Sequence, residues 1–182
     1  MMIPRRLRPY TGETNQRLPT PLNAPRNLYG AFNWLLNILD LNYDGDYDPS
    51  DGDQSRDIYI YGHSWGGASA IFTAQAINSN VHFVNHTIAK LATIDPVFFG
   101  RFGPAYVPGN VVDFRNWYQS AGNRVTLLNI GPIHMFPVHG QPVQGGDPED
   151  QQDMNNSNPN GIDHFSIINE VKTDLIHFLT GA

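Results

Sequence analysis

Cysteine is absent from all 182 residues. That excludes disulfides, thiolate metal sites and a cysteine nucleophile, and it leaves the redox compartment open. Long apolar runs are missing too. None approaches the ~18 residues needed to cross a bilayer as a helix, so no transmembrane segment is expected. The opening stretch, MMIPRRLRPYTGETNQ, carries charge but no apolar centre and does not read as a secretory signal. Positive charge is scarce: 11 Lys and Arg stand against 17 Asp and Glu, for a net charge of −6. That balance argues against nucleic acid as a partner, because Arg5, Arg6 and Arg8 form only a small basic cluster.

What is present is globular. Hydrophobic residues make up 40% of the chain, with ten Phe, eight Tyr and three Trp among them. A single domain of this size buries roughly 70% of its unfolded surface. Residues 1–25 are rich in Pro, Arg, Asn and Thr without periodicity, so an extended N-terminal arm is expected there and the folded domain over 26–182. Leu28, Phe32, Leu35, Leu36 and Leu39 recur at helical spacing and predict a helix over 26–39. Strands are predicted over 57–61, 88–94, 110–118 and 124–130, and helices over 65–78 and 165–179, with Gly181 as the final stop. Residues 140–163, dominated by Gly, Pro, Asp, Asn and Gln, read as a long loop. Strands alternating with helices predict an α/β fold: a mainly parallel sheet with helices on both faces.

The stretch YIYGHSWGGASA, residues 59–70, carries the strongest chemical signal. A G-x-S-x-G pattern is cheap alone, but here it follows a strand and opens a helix. That setting lifts a serine hydroxyl, Ser64, above the sheet edge. Gly62 and Gly66 leave room for neighbouring backbone, and the helix N-terminus aims its amides at a developing anion. The Trp65 N–H is the expected oxyanion donor. The rival interpretation is a glycine-rich turn in some other α/β protein.

Three segments, GHSWGG (62–67), TIDPV (93–97) and DHFSI (163–167), resemble the α/β-hydrolase family, and within it the serine lipases and esterases. They stand in the family's order of serine, acid and histidine, over roughly residues 26–180. A serine hydroxyl needs a base, and the base needs a third group to hold it. Of seven histidines, His164 is placed best, on a polar loop before the last helix, with His139 and His134 as alternatives. His63 adjoins the nucleophile and is expected to point away from it. Asp95 ends a predicted strand at the carboxyl edge where α/β sites gather. Asp113, on the next strand, is the alternative acid. Resemblance to lipases with an LDP-type turn favours Asp95. Asp163 is too close in sequence to His164 to make the required ring contact.

Family members present several strands before the nucleophile strand, and a loop among them supplies a second oxyanion N–H. Only 63 residues precede Ser64 here. The resemblance therefore implies a reduced or N-terminally truncated α/β-hydrolase fold, with an exposed sheet edge that invites self-association. Loss of one oxyanion donor lowers turnover by about 10²–10³.

A second motif is DLNYDGDYDPSD, residues 40–51. As a twelve-residue calcium loop it offers Asp40, Asn42 and Asp44, a turn at Gly45, the Asp46 carbonyl, the apolar Tyr47, Asp48 through water and Asp51. Asp at the last position resembles dockerin-type loops. Clustered oxygens suit calcium in a structural role. The competing interpretation is a solvated Asp/Gly linker. A weak extracellular-type calcium site implies export, and no organic cofactor is expected.

Together these features predict a serine hydrolase acting on small-molecule or lipid esters through an acyl-enzyme. Two alternatives stand beside it. One is a catalytically impaired remnant or calcium-binding module, and the other is a thioesterase or amidase. Tyr59, Tyr61, Phe98, Phe99, Trp117 and Tyr118 are candidates for either core or an apolar pocket.

Overall fold

The computed structural model describes residues 57–83, 86–98, 105–120, 126–130, 133–156 and 162–181, with Leu35, Leu39, Asp40, residues 46–48, Ser50 and Asp53. The expected arm over 1–25 and most of the 26–39 helix lie outside them. Within that helix, Leu35 and Leu39 are helical, and Leu39 is buried.

Four strands form an all-parallel sheet in the order β1 (Ile58–His63), β2 (Ile88–Ile94), β3 (Val111–Tyr118) and β6 (Gln151–Asp153). The β-branched and aromatic runs IYIY, IAKLATI and VVDFRNWY suit a pleated, half-buried surface. Their register matters more than their composition. His63 pairs with Ile94 and Ile94 with Trp117, so these three strands end in one row. The residues that follow, Ser64 and Asp95, therefore emerge side by side at the carboxyl edge.

Strand alternation divides the core between two faces. On one face, Ile58, Leu91 and Phe114 pack with Ile71, Ala74 and Ile77 of helix α1 (Trp65–Asn78). The buried side of α1 also carries Gly67, Ala68 and Ala70, small residues that let the helix sit close to the sheet. On the other face, Ala92, Ile94 and Trp117 pack with Ile167 and Val171 of helix α2 (Ile167–Thr180). α2 ends at Gly181, whose φ of 70° is the left-handed geometry of a helix stop, with its N–H bonded to the His177 carbonyl at 2.8 Å. Among the described residues no helix is long and apolar enough to cross a membrane.

Three features differ from the sequence expectation. β4 (Thr126–Ile130) does not join the parallel sheet; it pairs antiparallel with β5 (Ile133–Val138). β6 is a strand within the predicted long loop, pairing with β3 through only three residues. The aromatic set also divides. Trp117 is core at 3% exposure, whereas Tyr59 and Tyr61 stand at 47% and 59% on β1, an edge of the sheet among the described strands. Phe99 lies outside the described residues.

Candidate active site

Ser64 occupies the step between β1 and α1 with φ 59° and ψ −126°, a backbone conformation that L-residues rarely adopt. A serine at a helix start ordinarily turns its hydroxyl onto the first-turn amides. Here the unusual dihedrals prevent that, and no side-chain cap bond forms. The backbone is held on both sides instead. The Ser64 N–H donates to the Ile94 carbonyl at 2.9 Å, and the Ser64 carbonyl accepts from Ala68 and Val97, each at 3.2 Å. Gly62 is required by contact: a Cβ there would lie 2.2 Å from the Gly66 carbonyl oxygen. Gly66 is not so constrained, since a Cβ on it meets nothing within 4 Å. The tight pair is Gly62 and Gly67. At the latter position an added Cβ would come within 3.1 Å of both the Gly62 oxygen and Pro96. That corrects the expectation that Gly62 and Gly66 share the role.

Asp95 follows β2 and also has a positive φ, 46°. Its N–H donates to the Trp117 carbonyl at 2.6 Å. The carboxylate is fully buried and surrounded by donors. Oδ1 accepts from the backbone N–H of Gln119 at 2.9 Å and of Gly140 at 2.6 Å. Oδ2 accepts from the Gln119 side-chain amide at 3.3 Å and faces His164 Nδ1 at 2.5 Å. Such hydrogen bonds offset the several kcal/mol that burying an unpaired charge costs.

His164 is only 2% exposed and lies in the turn before α2. Asp163 shapes that turn: its Oδ1 accepts from the N–H groups of Phe165 at 3.0 Å and Ser166 at 2.8 Å. So the adjacent acid organises backbone, and Asp95 meets the ring. With Nδ1–H donating to Asp95, Nε2 is left as an acceptor, and it lies 2.7 Å from Ser64 Oγ. Residues 64, 95 and 164, far apart in sequence, thus form one hydrogen-bonded chain. The arrangement can draw a proton from the serine hydroxyl and stabilise the imidazolium that results.

Trp65 is the first residue of α1, so its N–H belongs to the helix turn that opens beside Ser64. Phe165, next to His164 in sequence, is 59% exposed, with its ring 5.5 Å from that of His164.

His63 meets His164, a contact that the sequence did not suggest. Its ring lies 4.6 Å from that of His164, tilted by 31°, and its Nε2 is 2.9 Å from the His164 carbonyl. Burial lowers its pKa below the usual histidine value. The hydrogen bond to the His164 carbonyl opposes this, the charge of His164 adds to it and that of Asp95 opposes it.

The alternative residues fall elsewhere. Asp113 sits within β3, in register with Lys90, and not at the carboxyl edge. His139 is exposed and donates from Nδ1 to the Gly140 carbonyl at 3.0 Å. The His134 side chain is outside the described set.

Of the acidic loop, Asn42, Asp44 and Asp51 lie outside the described residues. Tyr47 is buried, bridged to Phe83, and donates its N–H to the His82 carbonyl at 2.8 Å. Asp48 Oδ1 accepts from the Ser50 N–H at 2.8 Å and hydroxyl at 2.6 Å. Among the described residues no group of three His, Asp or Glu side chains is placed to hold a metal ion.

Gln119 and Gly140 are the residues that sequence reasoning missed. Neither sits in a motif; Gly140 lies in a Gly/Pro-rich stretch and reaches Asp95 only through the folded chain. No family model, curated protein or solved structure matches the chain.

Proposed function

We propose that the protein is a serine hydrolase of carboxylic esters, built on the α/β-hydrolase plan. The observation that carries this is the hydrogen-bonded chain from the half-buried Ser64 Oγ through the buried His164 to the buried Asp95, at 2.7 and 2.5 Å. In the proposed reaction Ser64 Oγ attacks the ester carbonyl while His164 Nε2 takes its proton. The tetrahedral oxyanion forms beside the Trp65 N–H at the start of α1. The C–O bond to the alcohol then breaks, and His164 gives its proton to the departing oxygen. Water then attacks the acyl carbon while the same Nε2 takes its proton; the C–Oγ bond breaks, the acid leaves, and Nε2 returns the proton to Ser64 Oγ. Asp95 holds the Nδ1–H throughout.

The same chain of groups serves thioesters and amides, and a substrate panel ranks the three. The direct test is covalent labelling by a fluorophosphonate, with Ser64→Ala as the control. Labelling of the folded wild type at Ser64 supports the proposal. A folded protein that stays unlabelled, and turns over no ester, refutes it.

A further inference from the structure

We propose that His63 is a positioning residue for the base. It holds the His164 main chain and ring face so that Nε2 stays on Ser64 while Nδ1 stays on Asp95. The inference rests on the proposed triad and goes beyond it. His164 belongs to a turn, with neither a sheet ladder nor a helix interior to fix it. His63 is the last residue of β1, and strand alternation sends its side chain to the face opposite that of Gly62. That is the face on which α2 packs, and there the ring meets His164. The 2.9 Å contact between His63 Nε2 and the His164 carbonyl spans 101 positions of sequence, so it ties the nucleophile strand to the base-bearing turn.

A carbonyl only accepts, so this bond requires a proton on His63 Nε2. Among the described residues, the titratable groups that face His63 are His164 and Asp95. While His164 is an imidazolium, a neutral His63 ring presents a π-face to it, whereas a charged one repels it. The side chain therefore acts in two ways, through a donor that fixes the backbone and through a ring that tolerates the transient cation.

His63→Phe keeps a ring and removes the donor. His63→Gln keeps an N–H donor at a similar reach, and His63→Asn carries one that is too short. Misplacement of a catalytic group by about 1 Å costs roughly 10²-fold, so His63→Phe and His63→Asn are expected to lower kcat by about 10- to 100-fold. KM should change little, and His63→Gln should restore most of kcat. A second readout does not depend on turnover: the far-downfield proton NMR signal of His164 Nδ1–H. It should broaden or shift in His63→Phe and His63→Asn and persist in His63→Gln.

Wild-type kcat and an unchanged Nδ1 signal in His63→Phe would overturn the positioning role and leave the triad standing. If His63→Phe fails to fold, equal kcat in His63→Asn and His63→Gln overturns it instead. A wild type with neither fluorophosphonate labelling nor the downfield signal would overturn the triad, and this inference with it.

Discussion

Replacing Gly140 with alanine tests the support of the acid more sharply than replacing the acid itself. An added Cβ would lie 2.3 Å from Asp95 Oδ1, 2.7 Å from Asp95 Cα and 2.9 Å from its carbonyl carbon. Two of those three atoms are backbone, so no rotamer change relieves the clash. Either the loop at 140 retreats or Asp95 moves. If the loop retreats, the 2.6 Å bond from the Gly140 N–H to a buried carboxylate is lost. A hydrogen bond to a charged group contributes about 1.5–3 kcal/mol, and overpacking of a core adds typically 1–3 kcal/mol. The combined loss, about 2–5 kcal/mol after allowing for partial relaxation, is a large share of an ordinary domain's 5–15 kcal/mol. If Asp95 moves, His164 Nδ1 loses its partner, and the limit is the ~10⁴-fold fall in kcat that follows loss of a functional triad acid. Urea unfolding and turnover of a short-chain nitrophenyl ester measure the two arms. We expect both to fall, with kcat down by about 10²-fold or more. A variant that matches wild type in unfolding midpoint and in kcat would refute the assigned packing of Gly140 on Asp95.

The remaining predictions are independent of that one. Gly62→Ala should lose both fold stability and fluorophosphonate labelling, because its Cβ meets the Gly66 oxygen at 2.2 Å. Gly66→Ala should be tolerated and should gain up to about 1 kcal/mol of helix propensity, and a melting temperature below wild type would contradict the open space there. Burial lowers the pKa of both His63 and His86, the latter against an opposing bond to the Phe83 carbonyl. In the window between these lowered values and the unfolded value of about 6.5 the unfolded chain binds more protons, so stability falls as pH drops below about 6.5, by at most about 1.4 kcal/mol per unit for each group. Urea midpoints at pH 7 and 5.5 test this, and a midpoint that rises on acidification would reverse the assignment. Calorimetric titration tests the acidic loop over 40–51. Calcium heat at millimolar concentration that disappears in Asp44→Ala supports the ligand set, and no heat removes it.

Much of the sheet was legible because its strands are rich in β-branched and aromatic residues. The 88–94 strand and the 65–78 helix have the expected limits. β5 was not, since Pro137 in IHMFPV argues against a strand, and β6 is three polar residues, QQD, with no strand signature of its own. The site divides in the same way. Ser64, Asp95 and His164 each sit at the end of an element, where pattern and chemistry coincide. Gln119 and Gly140 give Asp95 Oδ1 their backbone N–H groups, which every residue but proline possesses. The added side-chain bond of Gln119 comes from a residue type common on any surface, so no pattern marks them. The contact of His63 with His164 was not legible for a geometric reason: the two lie 101 positions apart and meet only in the folded chain.

The dihedrals of Ser64 carry a consequence for how such a chain changes over time. Holding a non-glycine residue at φ 59° costs about 1–3 kcal/mol, against the 0.5–1 kcal/mol or so that glycine loses in chain entropy. Glycine is therefore the more comfortable occupant of position 64. A screen that rewards melting temperature alone will drift towards GHGWGG, and so will a gene copy released from selection for activity. If the proposed reaction holds, serine should be retained there against that drift, which a collection of related chains can be asked to display.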